Sequence, residues 1–289
     1  MPELPEVETV RRGLDKLVVG RTIEGVEVGR LRTVRRTSRQ ALIDGLTGTT
    51  LVAAQRRGKY LLCPLDSGDV LMVHLRMTGQ LLLVPSGAPR PPHTHVVLHL
   101  RPPGDPGAAP SSDLLFVDPR TFGEMVVFDP DHAEVEVPDV ARLGLDPLVD
   151  DPTPAQLAAV LRGRTTRLKP LLLDQHVIAG IGNIYADEIL HVARLHPDTP
   201  AGTLRRRDVS ALQGAIGTIL NESIRAGGST LSDLGYVDMM GEGGSYQNAH
   251  RVYGRAGERC PTCSRGFIRR VTHAGRSTHY CPVCQRPRR

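Results

Sequence analysis

The sequence predicts an α+β protein in which an N-terminal helix and a β-sandwich precede a helical region and a short cysteine-bearing hairpin. Three observations support this fold class. Residues 22–128 contain short apolar runs typical of strands, separated by turn sequences such as DSGD. Residues 153–225 change to helical periodicity. Four of the five cysteines lie in two CxxC pairs near the end of the chain. Strands followed by helices indicate segregated α and β regions.

The first predicted element is a helix over residues 5–17. Pro5 suits the first helical position, and apolar residues recur at helical spacing from Val7 to Leu17. Together with the strands that follow, this helix forms a predicted N-terminal domain of residues 1–128.

The middle of the chain is predicted to be helical. Residues 129–152 are acidic and interrupted by proline, which favours a linker. In a domain spanning 153–250, helices are expected over 154–162, in LKPLLLDQ, in GIGNIYADEILHVARL and over 205–225. Residues 226–250 are Gly-rich and weakly patterned, so they are interpreted as a flexible loop.

The last segment, residues 251–289, is predicted to be a zinc module. Its two CxxC pairs are 17 residues apart, and the sequence between them resembles a β-hairpin with Ala-Gly at its turn. Two such pairs supply a tetrahedral site, and four thiolates leave no position open for water, so the zinc would be structural. The predicted ligands are Cys260, Cys263, Cys281 and Cys284. Cys63 lies in an apolar stretch and is expected in the core.

Charge is unevenly distributed. The chain carries a net charge of +5, and residues 251–289 contain ten arginines and a single acid, Glu258. This patch suits a polyanion, most simply nucleic acid, although a solvated basic tail would have the same composition. No apolar run reaches the roughly 18 residues of a membrane span. The start MPELPEVETV also lacks the features of a signal peptide, so we expect a cytoplasmic protein.

The N-terminus offers a nucleophile. Removal of Met1 would expose Pro2 as a secondary amine with a pKa of roughly 8, so that a fraction is neutral at pH 7. Such an amine can attack a sugar C1′ and form an iminium ion that accepts electrons during elimination. Glu3 and Glu6 lie close by in sequence and could move protons. The alternative interpretation is a capped first helix with ordinary acidic residues.

Several motifs occur together in one order. They are MPELPEVETVRRGL, RRGKYLL, HLRMTGQ, DPRTFG, GIGNIYADE, VYGR and the paired CxxC sequences. In this combination the chain closely resembles the formamidopyrimidine-DNA glycosylases, bacterial enzymes that excise 8-oxoguanine and ring-opened purines. The resemblance extends essentially from end to end. It implies a β-sandwich, a helix-two-turn-helix domain and a zinc finger, with DNA bound in the cleft.

The resemblance implies catalytic roles for four residues. Pro2 would form the Schiff base, and Glu3 would act as the acid or base beside it. Lys59 would assist β-elimination and hold a backbone phosphate. Arg276 would grip phosphate and assist δ-elimination. The expected result is excision of an oxidised purine followed by strand cleavage through β,δ-elimination.

The resemblance also implies DNA contacts. Met77, Arg120 and Phe122 match the trio that fills the space left by a flipped base. An apolar side chain can replace lost stacking, a Phe can wedge a base step, and an Arg can pair with the orphaned cytosine. The further expected contacts are His74, His93, Arg164, Asn183 and Tyr253. The expected partner is double-stranded DNA with oxidised or abasic lesions, bound by a monomer that carries one Zn²⁺.

Some positions depart from the family pattern. Arg76 stands where some members have Gly, and Arg164 stands where Lys is common. Ser232 replaces a frequent Lys, and GSY at 244–246 replaces a common GYF. The last two lie in the loop that covers the flipped base in the family. Three other interpretations are weighed: an endonuclease VIII-like enzyme for oxidised pyrimidines, a non-catalytic damage-binding protein on this fold, and a zinc-ribbon nucleic-acid-binding factor.

Overall fold

The computed structural model describes residues 1–104, 107, 109–231, 235–273 and 275–287. Internal contacts divide the chain into two units. The first comprises Met1–Arg142 and Ala226–Ser245, and the second comprises Leu143–Arg225 and Tyr246–Arg289.

The first unit begins with helix α1 (Leu4–Leu17), as the sequence predicts. The backbone N–H of Glu3, at the N-cap, donates to the Glu6 carboxylate at 2.8 Å, which satisfies a donor that the helix leaves unpaired. The apolar face of α1 is buried in the core of this unit. The helix therefore fixes the position of the residues that precede it.

A β-sandwich follows α1. Among the described residues its strands are β1 (Thr22–Val28), β2 (Gln55–Arg57), β3 (Tyr60–Pro64), β4 (Val70–His74), β5 (Gln80–Pro85), β6 (Thr94–Arg101), β7 (Ser112–Val117) and β8 (Glu124–Phe128). They form two antiparallel sheets, ordered β1-β6-β7-β5 and β2-β3-β4-β8. Ile23 and Phe116 from one sheet share a core with Leu61 and Val73 from the other. Cys63 is buried in this core, as predicted.

Short helices interrupt the regions predicted as strands and linker. Helix α2 (Arg39–Leu46) lies between β1 and β2, where the sequence analysis predicted only strands. It forms because the Ser38 hydroxyl accepts from the helix N-terminus and because Leu42 and Leu46 are buried one turn apart. The stretch predicted as a linker contains helices α3 (Ala133–Glu136) and α4 (Pro138–Ala141).

The second unit contains the predicted helices and hairpin. The helices are α5 (Pro154–Leu161), α6 (Leu168–Leu173), α7 (Asn183–Val192) and α8 (Arg206–Arg225), and the hairpin strands are β9 (Arg269–His273) and β10 (Arg276–Tyr280). Thr153 caps α5 through a capping box with Gln156. Among the described residues, no helix combines the length and apolar character that a membrane span needs.

Residues Ala226–Ser245 group with the first unit rather than with the helices that precede them. Tyr236 and Met239 are buried in the sandwich core, and the Met239 carbonyl accepts from Leu83 N of β5 at 2.9 Å. The sequence analysis placed this segment in the domain 153–250, because the weak apolar pattern gives no sign of these distant contacts.

Candidate active site and zinc centre

The N-terminal end of α1 is buried. Pro2 and Glu3 are both buried residues. One Glu6 oxygen accepts from Glu3 N, and the other accepts from Ser229 N at 2.8 Å. Gly228 has φ +83°, and a Cβ there would lie 2.7 Å from the Glu6 carboxylate. The Glu6 carboxylate therefore connects the backbone at the start of α1 to the backbone at Ser229. The sequence analysis considered Glu6 only as a proton carrier.

Lys59 lies in the turn between β2 and β3 and is only 6% exposed. The Arg56 side chain donates to the Gly58 carbonyl at 2.8 Å, which fixes this turn. The same guanidinium donates to Glu8 of α1 at 3.2 Å. Both partners are buried, so this ion pair ties the Lys59 turn to the helix that follows Pro2. Sequence reasoning missed Glu8 as part of the site.

The turn after β4 carries Met77, which is half-buried. Burial and nearby Arg76 lower the pKa of His74 well below its usual value, so its ring is neutral. Its Nδ1 accepts from Arg76 N at 3.0 Å, and Tyr60 packs edge-on against the ring at 4.3 Å. His74 is 5% exposed, and these contacts make it a support of the Met77 turn.

The loop between β7 and β8 carries Arg120 and Phe122. The buried Asp118 carboxylate accepts from Arg120 N at 3.2 Å and from Gly123 N at 2.7 Å, and the Thr78 hydroxyl also donates to it. The Arg120 guanidinium lies 5.0 Å from the centre of the Phe122 ring. Asp118 thus connects this loop to the Met77 turn, which brings the three predicted insertion residues onto adjoining segments.

The four predicted metal ligands converge. The sulfur atoms of Cys260, Cys263, Cys281 and Cys284 all lie within 4.8 Å of one another. The Cys260–Cys284 separation is 3.9 Å and the Cys263–Cys281 separation is 3.8 Å. Thiolates about 2.3 Å from a tetrahedral zinc are about 3.8 Å apart, whereas bonded disulfide sulfurs are about 2 Å apart. The cluster fits one structural Zn²⁺, which confirms the prediction.

A buried ionic network holds the zinc hairpin on the helices of the second unit. Asp187 of α7 accepts from His279 N at 2.7 Å, and its carboxylate also lies 2.7 Å from Lys169 Nζ. Lys169 donates to the Ser277 carbonyl at 2.6 Å. These contacts fix strand β10, whose first residue is the exposed Arg276. Sequence reasoning assigned no role to Lys169 or Asp187.

The adjoining VYGR segment is held by Glu188. Its fully buried carboxylate accepts the backbone N–H groups of Arg251, Val252 and Tyr253 at 2.8–2.9 Å. Burial raises the pKa of Glu188, and these hydrogen bonds oppose the rise. The Tyr253 ring packs edge-on against His279 with centres 5.0 Å apart. Neighbouring acids in the ADE sequence therefore position two separate parts of the C-terminal segment.

The remaining predicted residues lie on different elements of the chain. Asn183 begins α7, and its side chain donates to the Ser277 hydroxyl at 3.4 Å. Arg164 is exposed just after the end of α5 and donates to the Val160 carbonyl. His93 is exposed before β6 with φ +68°. Ser232 lies outside the described residues.

Comparison with known proteins covers the whole chain. Three family profiles match: the formamidopyrimidine-DNA glycosylase N-terminal domain over residues 1–125, the H2TH domain of the same enzymes over 143–234, and the zinc finger found in FPG and IleRS over 257–287. The formamidopyrimidine-DNA glycosylase of Salinispora arenicola is 44% identical over 293 residues, covering 100% of this chain and 98% of the relative. That of Carboxydothermus hydrogenoformans is 42% identical over 286 residues, covering 99% and 100%.

Solved structures agree with these relatives. The Lactococcus lactis Fpg in complex with DNA containing an abasic site is 36% identical, with a TM-score of 0.86 over 99% of this chain and 100% of that one. A mutant of the same enzyme, in complex with Fapy-dG DNA, gives a TM-score of 0.87 at the same identity and coverage.

The β-sandwich, the helix-two-turn-helix region and the four-cysteine hairpin define a zinc-finger protein of the helix-two-turn-helix class. Within that class, the chain belongs to the formamidopyrimidine-DNA glycosylase family.

Proposed function

We propose that this protein is a DNA base-excision repair enzyme that removes oxidised purines and then cleaves the abasic strand. Full-length identity above 40% to formamidopyrimidine-DNA glycosylases is the observation that carries the proposal. Family members solved with abasic-site and Fapy-dG DNA support a duplex with such lesions as the partner. The DPRTFG and ELPEVE sequences favour purine lesions over the oxidised pyrimidines of the endonuclease VIII type.

The proposed reaction starts at Pro2 after removal of Met1. The Pro2 nitrogen bonds to C1′ of the flipped nucleotide while the bond from C1′ to the base breaks, and the base leaves with a proton. Opening of the sugar ring gives an iminium ion. Loss of a C2′ proton then expels the 3′ phosphate, and the second elimination expels the 5′ phosphate. Glu3 is proposed to shuttle protons, and Lys59 to assist the first elimination.

The two turns that carry Met77, Arg120 and Phe122 are proposed to enter the duplex where the lesion leaves it. Met77 would replace the lost stacking, Phe122 would wedge the neighbouring step, and Arg120 would pair with the orphaned base. The exposure of Arg120 supports this role, because its guanidinium is accessible to DNA. His93 is proposed as a further contact, and His74 as a support of the Met77 turn.

The second unit is proposed to bind the DNA backbone. Arg164, Asn183, Tyr253 and Arg276 are the proposed contacts, with Arg276 also assisting δ-elimination. The zinc ion would be structural, held by the four cysteines, and would keep Arg276 in place. One chain carries both the nucleophile and the phosphate contacts, so we propose a monomer. Repair of chromosomal DNA would place it in the cytoplasm.

The proposed function is tested with one set of duplexes carrying 8-oxoguanine, ring-opened guanine, thymine glycol or an abasic site. We expect base release from the two purine lesions and strand cleavage at the abasic site. Preferential release of thymine glycol would favour the endonuclease VIII type. Binding to every damaged duplex with neither base release nor cleavage would favour a non-catalytic damage-binding protein.

Arg120 is expected to set the preference for the base opposite the lesion. Its guanidinium can donate to the acceptors on the pairing edge of cytosine, and adenine offers fewer acceptors there. One good contact of this kind discriminates by about 1–3 kcal/mol, or roughly tenfold to a hundredfold. The measurement is the excision rate with the lesion opposite C and then opposite A, for wild type and Arg120→Ala.

Arg32→Ala is the matched control, because Arg32 also lies over the Phe122 ring, at 5.5 Å. The control is expected to keep the preference that Arg120→Ala loses. A preference for C that persists in Arg120→Ala would remove Arg120 from this role.

A further inference from the structure

Three arginines from two segments of the chain converge on one buried carboxylate. Glu124, the first residue of β8, is 1% exposed. Its oxygens lie 3.0 Å from Arg35 Nε, 3.1 Å from Arg36 Nε and 2.9 Å from Arg76 Nη2. We call these four residues the Glu124 cluster.

Glu124 is ionised in this environment. Burial alone would raise the pKa of Glu124, but hydrogen bonds from Arg36 and Arg76 outweigh it and lower the pKa to about 2. The carboxylate is therefore charged throughout the neutral range. Its removal would leave three neighbouring cations without their shared partner, which is more damaging than loss of an exposed ion pair.

The cluster reaches both segments that carry the proposed insertion residues. Arg76 directly precedes Met77 and has φ +52°, a left-handed conformation that costs a non-glycine residue energy. Its bond to Glu124 holds it there. Arg35 bonds to Glu124 with Nε and to the Phe122 carbonyl with Nη2, the latter at 2.9 Å. One carboxylate is thus connected to the Met77 turn on one side and to the Phe122 loop on the other.

The cluster is also anchored outside these segments. Arg36 pairs with Asp139 of α4 as well as with Glu124. Glu124 faces His74 across the β4–β8 pairing, and His74 supports the Met77 turn through Arg76 N. Glu124 therefore lies on a strand of the sheet. A support for loop residues has to lie on such a rigid element if it is to hold their geometry.

We propose that Glu124 is a positioning residue that holds the Met77 turn and the Phe122 loop in the geometry needed to replace a flipped base. Arg76 stands where some relatives have Gly. It is the member of the cluster through which Glu124 positions Met77. The inference rests on the proposed function, since it concerns insertion into a duplex. Glu124 itself is buried, so its proposed role is exerted through the arginines and not through contact with DNA.

The test compares two substrates with Glu124→Gln, which keeps the shape and removes the charge. Excision of 8-oxoguanine from a duplex requires Met77, Arg120 and Phe122 to enter the space left by the flipped base. A single-stranded abasic oligonucleotide has no opposite base and no base stack to restore, so its cleavage does not require this step. We expect duplex excision to slow by roughly tenfold to a hundredfold, the size of effect that misplaced positioning groups have. Single-strand cleavage is expected to stay within about twofold of wild type, because Glu124 takes no part in the covalent steps.

Asp113→Asn is the matched control. Asp113 is another buried carboxylate of the first unit, paired with His99 at 2.8 Å. It lies near the start of β7, whereas the loop that carries Arg120 and Phe122 follows the other end of this strand. Asp113→Asn is expected to leave the ratio of duplex excision to single-strand cleavage unchanged. If Glu124→Gln lowers both rates equally, or if Asp113→Asn changes the ratio as much, the cluster has only a structural role and the proposal is wrong.

A second variant covers the case in which Glu124→Gln folds poorly. Arg76→Gly removes the link from Glu124 to Met77. Glycine is also the residue that best suits the left-handed conformation at this position. Arg76→Gly is expected to slow duplex excision, and the double variant is expected to be no slower than Glu124→Gln alone, since both act through one contact. Duplex excision at the wild-type rate in Arg76→Gly, or additive effects in the double variant, would overturn the proposal. Failure of wild type on both substrates would instead refute the proposed function.

Discussion

A variant with one residue inserted between Met1 and Pro2 is expected to bind abasic-site DNA but neither cut it nor form a covalent adduct. With a residue attached, the Pro2 nitrogen is a tertiary amide without an available lone pair, so no iminium can form. The fold should tolerate the change, because Met1 already precedes Pro2 in this structure and is partly exposed. Strand cleavage should fall by roughly a thousandfold or more, as when other covalent nucleophiles are removed.

The measurement is borohydride trapping on abasic-site DNA, followed by mapping of the adduct by mass spectrometry. Wild type should give an adduct on Pro2. Pro2→Gly is a poor substitute for the extended variant, because it supplies a primary amine that can retain activity. Robust trapping by the extended variant, with the adduct on Lys59, would show that the nucleophile is wrongly assigned and leave the zinc and DNA-binding proposals intact.

Cys281→Ser is expected to abolish zinc binding and weaken DNA binding. Purified wild type should contain about one zinc per chain, and the variant almost none, because the site loses one of its four thiolates. The hairpin holds little else at its centre, since its small buried cluster consists mainly of the ligands themselves. Strand β10 should lose its fixed position, displace Arg276 and reduce DNA affinity by roughly tenfold or more.

Cys63→Ser is the control for the zinc prediction. Cys63 is the remaining cysteine of the chain and is also buried, but it lies in the sandwich core of the first unit. The substitution should lower the free energy of unfolding by about 1–3 kcal/mol, through burial of a hydroxyl group, and leave the zinc content at about one. Metal analysis alongside thermal unfolding separates the two effects. Full zinc content in Cys281→Ser would contradict the ligand assignment.

The features that were predictable from sequence depend on contacts between near neighbours. The zinc ligands follow from the two-residue spacing inside each CxxC pair, and the predicted helix over 154–162 is α5, whose capping box joins residues only three apart, Thr153 and Gln156. Helix α1 follows from apolar periodicity over a few turns. Such patterns carry their own geometry, so the order of elements and the metal site could be predicted without tertiary information.

The supports of the proposed site were not predictable in this way. Glu124 meets Arg76 across 48 residues and Arg36 across 88, and Asp187 meets His279 across 92. In a sequence, a Glu or Asp that forms a buried ion pair cannot be distinguished from a solvent-exposed one, because its partner is brought near only by the fold. The family resemblance pointed to Pro2 and Arg276, and it gave no indication of the buried ion pairs that hold their surroundings.

The placement of residues Ala226–Ser245 has a consequence for how the protein is made. The first unit lacks Tyr236 and Met239 until the ribosome has synthesised about 100 residues beyond Arg142. A nascent chain that has emerged only to Arg142 therefore exposes an unfilled apolar slot between α1 and β5, where these residues later pack. The β-sandwich is translated first. Its core, however, is completed only after most of the helical unit has been translated. An N-terminal fragment ending at Arg142 would therefore be prone to aggregate, and a stable fragment of this unit would have to include the returning segment.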